Sequence, residues 1–130
     1  MQIDNKQADI IRNIPEDMIV QFNPSYLESV LLNFVTNALR YSEKARDLKI
    51  WITGAKKKGQ WTLTIRDNGI GIDLERHGDK IFGLYKTFTQ TPNSRGVGLF
   101  ITRNQIEAMG GSVEVKSEVG VGTEFKINFK

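Results

Sequence analysis

Between Pro24 and Ser42 the apolar residues fall at Leu27, Val30, Leu31, Phe34, Val35, Ala38 and Leu39. This is the i, i+3, i+4 spacing of a helix that buries one face, and it obliges the rest of the chain to supply a facing layer. Pro24 suits the first turn, where its missing N–H costs nothing, and Asn23 before it is a good N-cap. On the flank of that face, Asn33, Asn37 and Arg40 follow at i, i+4 and i+7 and form one polar stripe. Two amide oxygens a turn apart suit a hard cation, and a guanidinium suits phosphate. A solvated helix face would also contain polar residues. Asparagine, however, competes for backbone hydrogen bonds, so two of them mid-helix need a reason.

At 130 residues the chain is long enough for one self-supporting core. It has no cysteine, which removes a disulfide framework and thiolate metal sites and fits a reducing compartment. No run approaches the ~20 apolar residues of a membrane span, and the first residues lack the apolar core of a signal peptide. A net charge of +3, mixed in sign along the chain, is weak support for nucleic acid binding.

Around the helix the pattern changes repeatedly. Residues 1–7 are polar and read as a linker or tail from an upstream domain, leaving 8–130 as the folded unit. Apolar runs at 8–14 and 18–22, separated by Pro15-Glu16-Asp17, are expected as two strands around a turn. Leu48, Ile50 and Ile52 alternate with Lys49, Trp51 and Thr53 as in a half-buried strand. Residues 54–59, with three lysines between two glycines, read as a hairpin loop, and Trp61, Leu63 and Ile65 as the returning strand. That strand runs into Asp67-Asn-Gly-Ile-Gly-Ile-Asp73, where two glycines permit a tight turn or a close approach to a flat ligand. Residues 73–80 are expected to hold a short helix, and 85–94 a loop or lid flanked at its start by Phe82 and Phe88. Ser94-Arg-Gly-Val-Gly-Leu-Phe then opens a second amphipathic helix that Gly110-Gly111 ends. A glycine turn leading into a helix offers backbone N–H groups to an anion. Val113 and Val115, then Phe125, Ile127 and Phe129, mark two further strands. Hairpins mixed with helices predict an α+β two-layer sandwich, not a doubly wound parallel sheet.

Four segments occur in a fixed order: N-F-V-T-N-A-L-R-Y (33–41), D-N-G-I-G-I (67–72), R-G-V-G-L (95–99) and G-T-E-F (122–125). Together they resemble the N, G1, G2 and G3 boxes of the GHKL ATP-binding fold, with Phe82 to Phe88 where histidine kinases of that superfamily carry an F box. The chain most resembles the catalytic, ATP-binding domain of a bacterial sensor histidine kinase. The resemblance implies the Bergerat fold: a mixed, mainly antiparallel sheet of about five strands packed on about three helices. It implies ATP and Mg²⁺ as cofactors. Asn37, with Asn33 assisting, would hold the metal. Arg40 would meet a phosphate, and Tyr41 would lie against the base or sugar, or else pack in the core. Asp67 would accept a hydrogen bond from the adenine amine, or simply cap a strand-end turn. Gly69, Gly71 and Ile72 would line the base. Gly96, Val97, Gly98 and Leu99 would form the phosphate turn, and Thr123 would also contact the nucleotide. Ser94 and Arg95 depart from the usual G2 box. Arg95 points either at phosphate or into solvent, and Lys86 is a second candidate for the phosphate contact.

In the superfamily's ATPases a glutamate four residues before the metal-binding asparagine activates water. Here that position is Asn33, which cannot act as a base. Phosphoryl transfer relies on positioning and charge neutralisation, so a site without that base suits transfer to another protein group. The resemblance therefore implies a protein histidine kinase, with a GHKL-type ATPase, an anti-sigma-like serine kinase module or a degenerate nucleotide-sensing domain as alternatives. It also implies a phosphoacceptor histidine on a separate dimerisation domain of the same parent and a downstream response regulator. The isolated domain is expected to be a cytoplasmic monomer that cannot phosphorylate itself, from a parent anchored in a membrane. His77 is the chain's one histidine, and the resemblance gives it no catalytic role.

Overall fold

The computed structural model describes residues 8–44, 46–77 and 98–129. Among them, five strands make one sheet: β1 (Ala8–Asn13), β2 (Leu48–Lys57), β3 (Gln60–Asp67), β4 (Ser112–Glu118) and β5 (Gly122–Asn128), in the order β1-β2-β3-β5-β4. Only β1 and β2 run parallel, and the other pairings are antiparallel. A parallel pair needs a long crossover, which α1 (Pro24–Arg40) supplies. A four-residue helix, α2 (Leu74–His77), and a longer one, α3 (Gly98–Ala108), complete the order. The result is the expected α+β two-layer sandwich, with a mixed and mainly antiparallel sheet.

The α1 start is set as its residues predict. The Asn23 Oδ1 accepts from the backbone N–H of Ser25 at 2.9 Å and of Tyr26 at 3.2 Å, and Pro24 occupies the first turn. The buried face of α1 carries Val30, Phe34 and Ala38, which meet Ile50, Leu63, Ile65, Phe125 and Ile127 from the sheet and Leu99 and Ile106 from α3. Phe34 stacks on Phe125 with ring centroids 4.6 Å apart. Helix α3 ends as expected: Gly110 takes a φ of +82°, and the Gly111 N–H returns to the Ile106 carbonyl. No helix among the described residues is long and apolar enough to cross a membrane.

Two expectations are corrected. Residues 18–22 are not a strand: Met18, Val20 and Phe22 are half-buried and Ile19 is exposed, but no strand ladder forms there. Their alternation records an extended segment laid over the core, with Phe22 edge-on to Phe129 at 5.6 Å. Residues 54–59 are not a loop either. Strand β2 continues to Lys57, and the hairpin closes on Lys58-Gly59 alone, with φ of 53° and 81°. Positive φ at both central residues gives the turn whose twist matches the flanking strands. Gly54 lies inside β2 because Met18 and Pro15 occupy the space its side chain would need. The expected tail at 1–7 and the lid region, with Phe82, Lys86, Phe88, Arg95, Gly96 and Val97, lie outside the described residues.

Candidate functional site

The chemistry-bearing segments meet at one end of the sheet. Strand β3 alternates inward at Leu63 and Ile65, and the next inward position is Asp67, at the strand's last residue. Its Oδ1 accepts from the Gly69 N–H at 2.8 Å and from the Thr123 N–H at 3.3 Å. Among the described residues Oδ2 takes no hydrogen bond. Burial pushes the Asp67 carboxyl above its ordinary range, and those two backbone donors pull it part of the way back. Oδ2 is not sealed off from solvent, so it stays open to a donor that arrives with a ligand.

The turn after Asp67 is bound into its surroundings on three sides. The Ile70 N–H donates to the Tyr41 carbonyl at 2.9 Å, which fastens the turn to the end of α1. The Gly120 N–H donates to the Ile70 carbonyl at 2.8 Å, which fastens it to the β4–β5 turn. The Ile72 N–H donates to Ser117 Oγ at 2.7 Å; Ser117 in turn bonds the Gly122 carbonyl and the Thr123 hydroxyl, each at 2.8 Å. Gly71 holds a φ of +79°, and a Cβ there would run into the Glu118 backbone. A Cβ at Gly69 would meet the Tyr41 carbonyl. Both glycines are therefore required by close approach of protein backbone, before any ligand is considered.

Asn33 and Asn37 are half-buried on α1, and Arg40 is exposed in its last turn. The Asn33 Nδ2 donates to Thr102 Oγ1 at 3.0 Å, and Thr102 is fully buried on α3. This bond answers why an asparagine sits in mid-helix at 33: it joins the two long helices. Tyr41, the C-cap of α1, is 8 % exposed and gives its carbonyl to the turn after Asp67. Ile72 and Leu99 belong to the main core cluster, and Gly98 is the first residue of α3. Thus hydrogen bonds join the N box to the G1 turn, the G1 turn to the G3 strand, and the N box to the helix that follows the G2 box.

Asp67 and Thr123 also border a groove of about 410 Å³ with Trp51, Arg66, Lys116 and Glu124. Those four lie on the sheet face turned away from α1 and α3, and the Arg66 guanidinium rests 4.3 Å over the Trp51 ring. Neither Asn37 nor Arg40 borders that groove. Among the described residues there is no cluster of three histidine, cysteine or acidic side chains that would cage a metal. The donors present on α1 are amide oxygens, which suit a hard cation that keeps its waters and is shared with phosphate. Ser117 had no signal in the sequence. It bonds the Ile72 N–H, the Gly122 carbonyl and the Thr123 hydroxyl, pairings that no local pattern of side chains displays.

A family model described as histidine kinase-, DNA gyrase B-, and HSP90-like ATPase matches residues 22–130. The signal transduction histidine-protein kinase ArlS of Staphylococcus aureus is 33% identical over 117 residues, covering 88% of this chain and 26% of its own length. The chain thus spans about a quarter of the curated relatives it matches. Among solved structures, a nucleotide-free catalytic domain of the histidine kinase ThkA superposes with a TM-score of 0.81 at 25% identity, over 98% of this chain and 83% of that one. Full-length ShkA in complex with AMPPNP gives a TM-score of 0.81 at 25% identity, over 98% of this chain and 26% of that one.

Proposed function

The chain belongs to the family of histidine kinase-, DNA gyrase B- and HSP90-like ATPases, and on that premise we propose that it is the Mg·ATP-binding catalytic domain of a two-component sensor histidine kinase. It transfers the γ-phosphate of ATP to a histidine on a separate dimerisation domain, from which a response regulator is served. The observation that carries the reading is Asp67: a largely buried carboxylate whose Oδ1 is held by two backbone N–H groups while Oδ2 is left for a ligand donor. An exocyclic amine of adenine is such a donor, and guanine presents an acceptor at the same position. ATP supplies the phosphoryl group. Asn37 would hold the accompanying Mg²⁺ through its amide oxygen, Arg40 would meet a phosphate, and Asn33 would assist from its braced position beside Thr102. Gly96, Val97 and Gly98 would offer N–H groups where the α3 helix begins. Lys86 and Arg95 are the remaining candidates for phosphate. Residues 8–130 are assigned to this domain and 1–7 to a linker. The parent is read as membrane-anchored with this domain in the cytoplasm.

Asn33 stands where a water-activating glutamate would be needed, so turnover should require a protein acceptor. The test is calorimetry of Mg·ATP and ADP binding, followed by incubation with γ-labelled ATP with and without a histidine-bearing dimerisation domain. Nucleotide should bind, and label should reach the acceptor histidine only when the second domain is present. Steady phosphate release by this chain alone, transfer to serine, or no nucleotide binding would each overturn the reading.

A further inference from the structure

Arg46 lies in the connection between α1 and β2, in a polar stretch with no pattern to single it out. Its Nε donates to the Asn68 carbonyl at 2.6 Å, and its Nη2 donates to the Gly69 and Gly120 carbonyls at 2.8 Å each. These three acceptors belong to two separate turns. One, after β3, carries the Gly69 N–H that holds Asp67; the other, between β4 and β5, leads into Thr123, whose N–H holds the same carboxylate oxygen. The neighbouring Asn68 is bound independently, accepting from the Lys49 N–H at 2.8 Å and donating to the Asp47 carbonyl at 3.0 Å.

We infer that Arg46 is a positioning residue for the purine end of the site: its guanidinium sets the 68–71 turn against the 119–121 turn, and through their backbone N–H groups it aims the Asp67 carboxylate. This rests on the nucleotide-binding reading of Asp67 given above. The physical basis is the rigidity of the fork. A guanidinium is planar with donors at fixed angles, so three bonds to carbonyls from two turns define their separation and tilt together. An ammonium would supply the same charge without fixing that geometry. Arg46 itself is solvent-exposed. Its hydrogen bonds are therefore discounted as a source of stability, and their effect should appear in the accuracy of the site.

The test uses adenosine, which has no phosphate, as probe. Affinities are measured by NMR titration for the wild-type chain, Arg46→Gln, Arg46→Lys, Asp67→Asn and the double variant Arg46→Gln/Asp67→Asn, with melting temperature alongside. Arg46→Gln should weaken adenosine roughly tenfold, the size of one lost charge-assisted bond, while melting shifts by a few degrees. Arg46→Lys should fail to restore affinity. In the double variant, Arg46→Gln should add nothing to the loss already caused by Asp67→Asn, because both act at one contact. Full rescue by lysine would show a charge effect. Unchanged adenosine affinity in Arg46→Gln, or additive losses in the double variant, would show a loop staple unrelated to the base. Either result overturns the inference. If the wild-type chain does not bind adenosine or ADP, it is the nucleotide reading itself that falls.

Discussion

Asp67→Asn tests the site where its chemistry is most exposed to refutation. The carboxylate has two oxygens, and Oδ1 is already engaged by the Gly69 and Thr123 N–H groups. Asparagine has one oxygen. Those two donors will claim it, which leaves the amide NH₂ facing the place where the adenine amine would sit. A donor then opposes a donor, so the substitution loses a charge-assisted bond and strands a polar group. A charge-assisted bond is worth about 1.5–3 kcal/mol, or roughly 10- to 150-fold in affinity, and the upper end applies here. The NH₂ would instead suit the O6 acceptor of guanine, so the preference for ATP over GTP should narrow. Stability should move much less, because both backbone bonds survive and a buried charge is removed. Within about 1 kcal/mol, melting should shift by a few degrees.

The pH dependence carries a sign. Burial raises the Asp67 carboxyl above its unfolded value, so its contribution to apo-protein stability is fully present below the ordinary carboxylate range. That contribution is lost as pH rises through the raised folded value. Asp67→Asn should remove this part of the slope. Calorimetric titration with Mg·ATP and Mg·GTP, with melting curves across the acidic range, measures all three effects. An ATP affinity within threefold of wild type, or a loss of folding that matches the loss of binding, would refute the assignment of Asp67 to the base.

Other perturbations test the scaffold. Phe34→Ala removes a ring that is 1 % exposed and stacked on Phe125, and should cost about 3–5 kcal/mol in chemical denaturation. Gly71→Ala and Gly59→Ala share a positive φ but not an environment: the first drives a Cβ into the Glu118 backbone, and the second meets open space. Gly59→Ala should cost about 1 kcal/mol, the left-handed backbone alone, and Gly71→Ala clearly more. Equal costs in urea titration would mean that the G1 turn yields more easily than its packing implies.

The elements legible in the sequence are those whose cause is local. The apolar spacing of α1, the Asn23 cap and the alternation along β2, β3 and β5 each follow from neighbours in the chain. The boxes around Asn37, Asp67 and Thr123 were legible as an ordered set of residues. What was hidden depends on partners elsewhere. Residues 18–22 alternate like a strand, yet alternation reports which side faces the core and not whether a ladder forms. Lys58 at positive φ turned an expected six-residue loop into a two-residue turn, since the hairpin's twist outweighed a small local strain. Asn33 read as a candidate metal ligand, while its bond to Thr102 spans 69 positions. Arg46 serves only backbone carbonyls and Ser117 mostly backbone groups, which have the same form in every residue.

The tight closure of β2 on β3 bears on how the molecule assembles. Eight residues of each strand are brought into register across a turn of two, so this ladder asks little loop-closure entropy and should form on the microsecond scale of isolated hairpins. Strand β1 is the opposite case. Ala8 pairs with Leu48, and it can do so only after α1 has folded back across the sheet. Substitutions in the hairpin should therefore slow refolding, whereas substitutions in β1 should chiefly hasten unfolding.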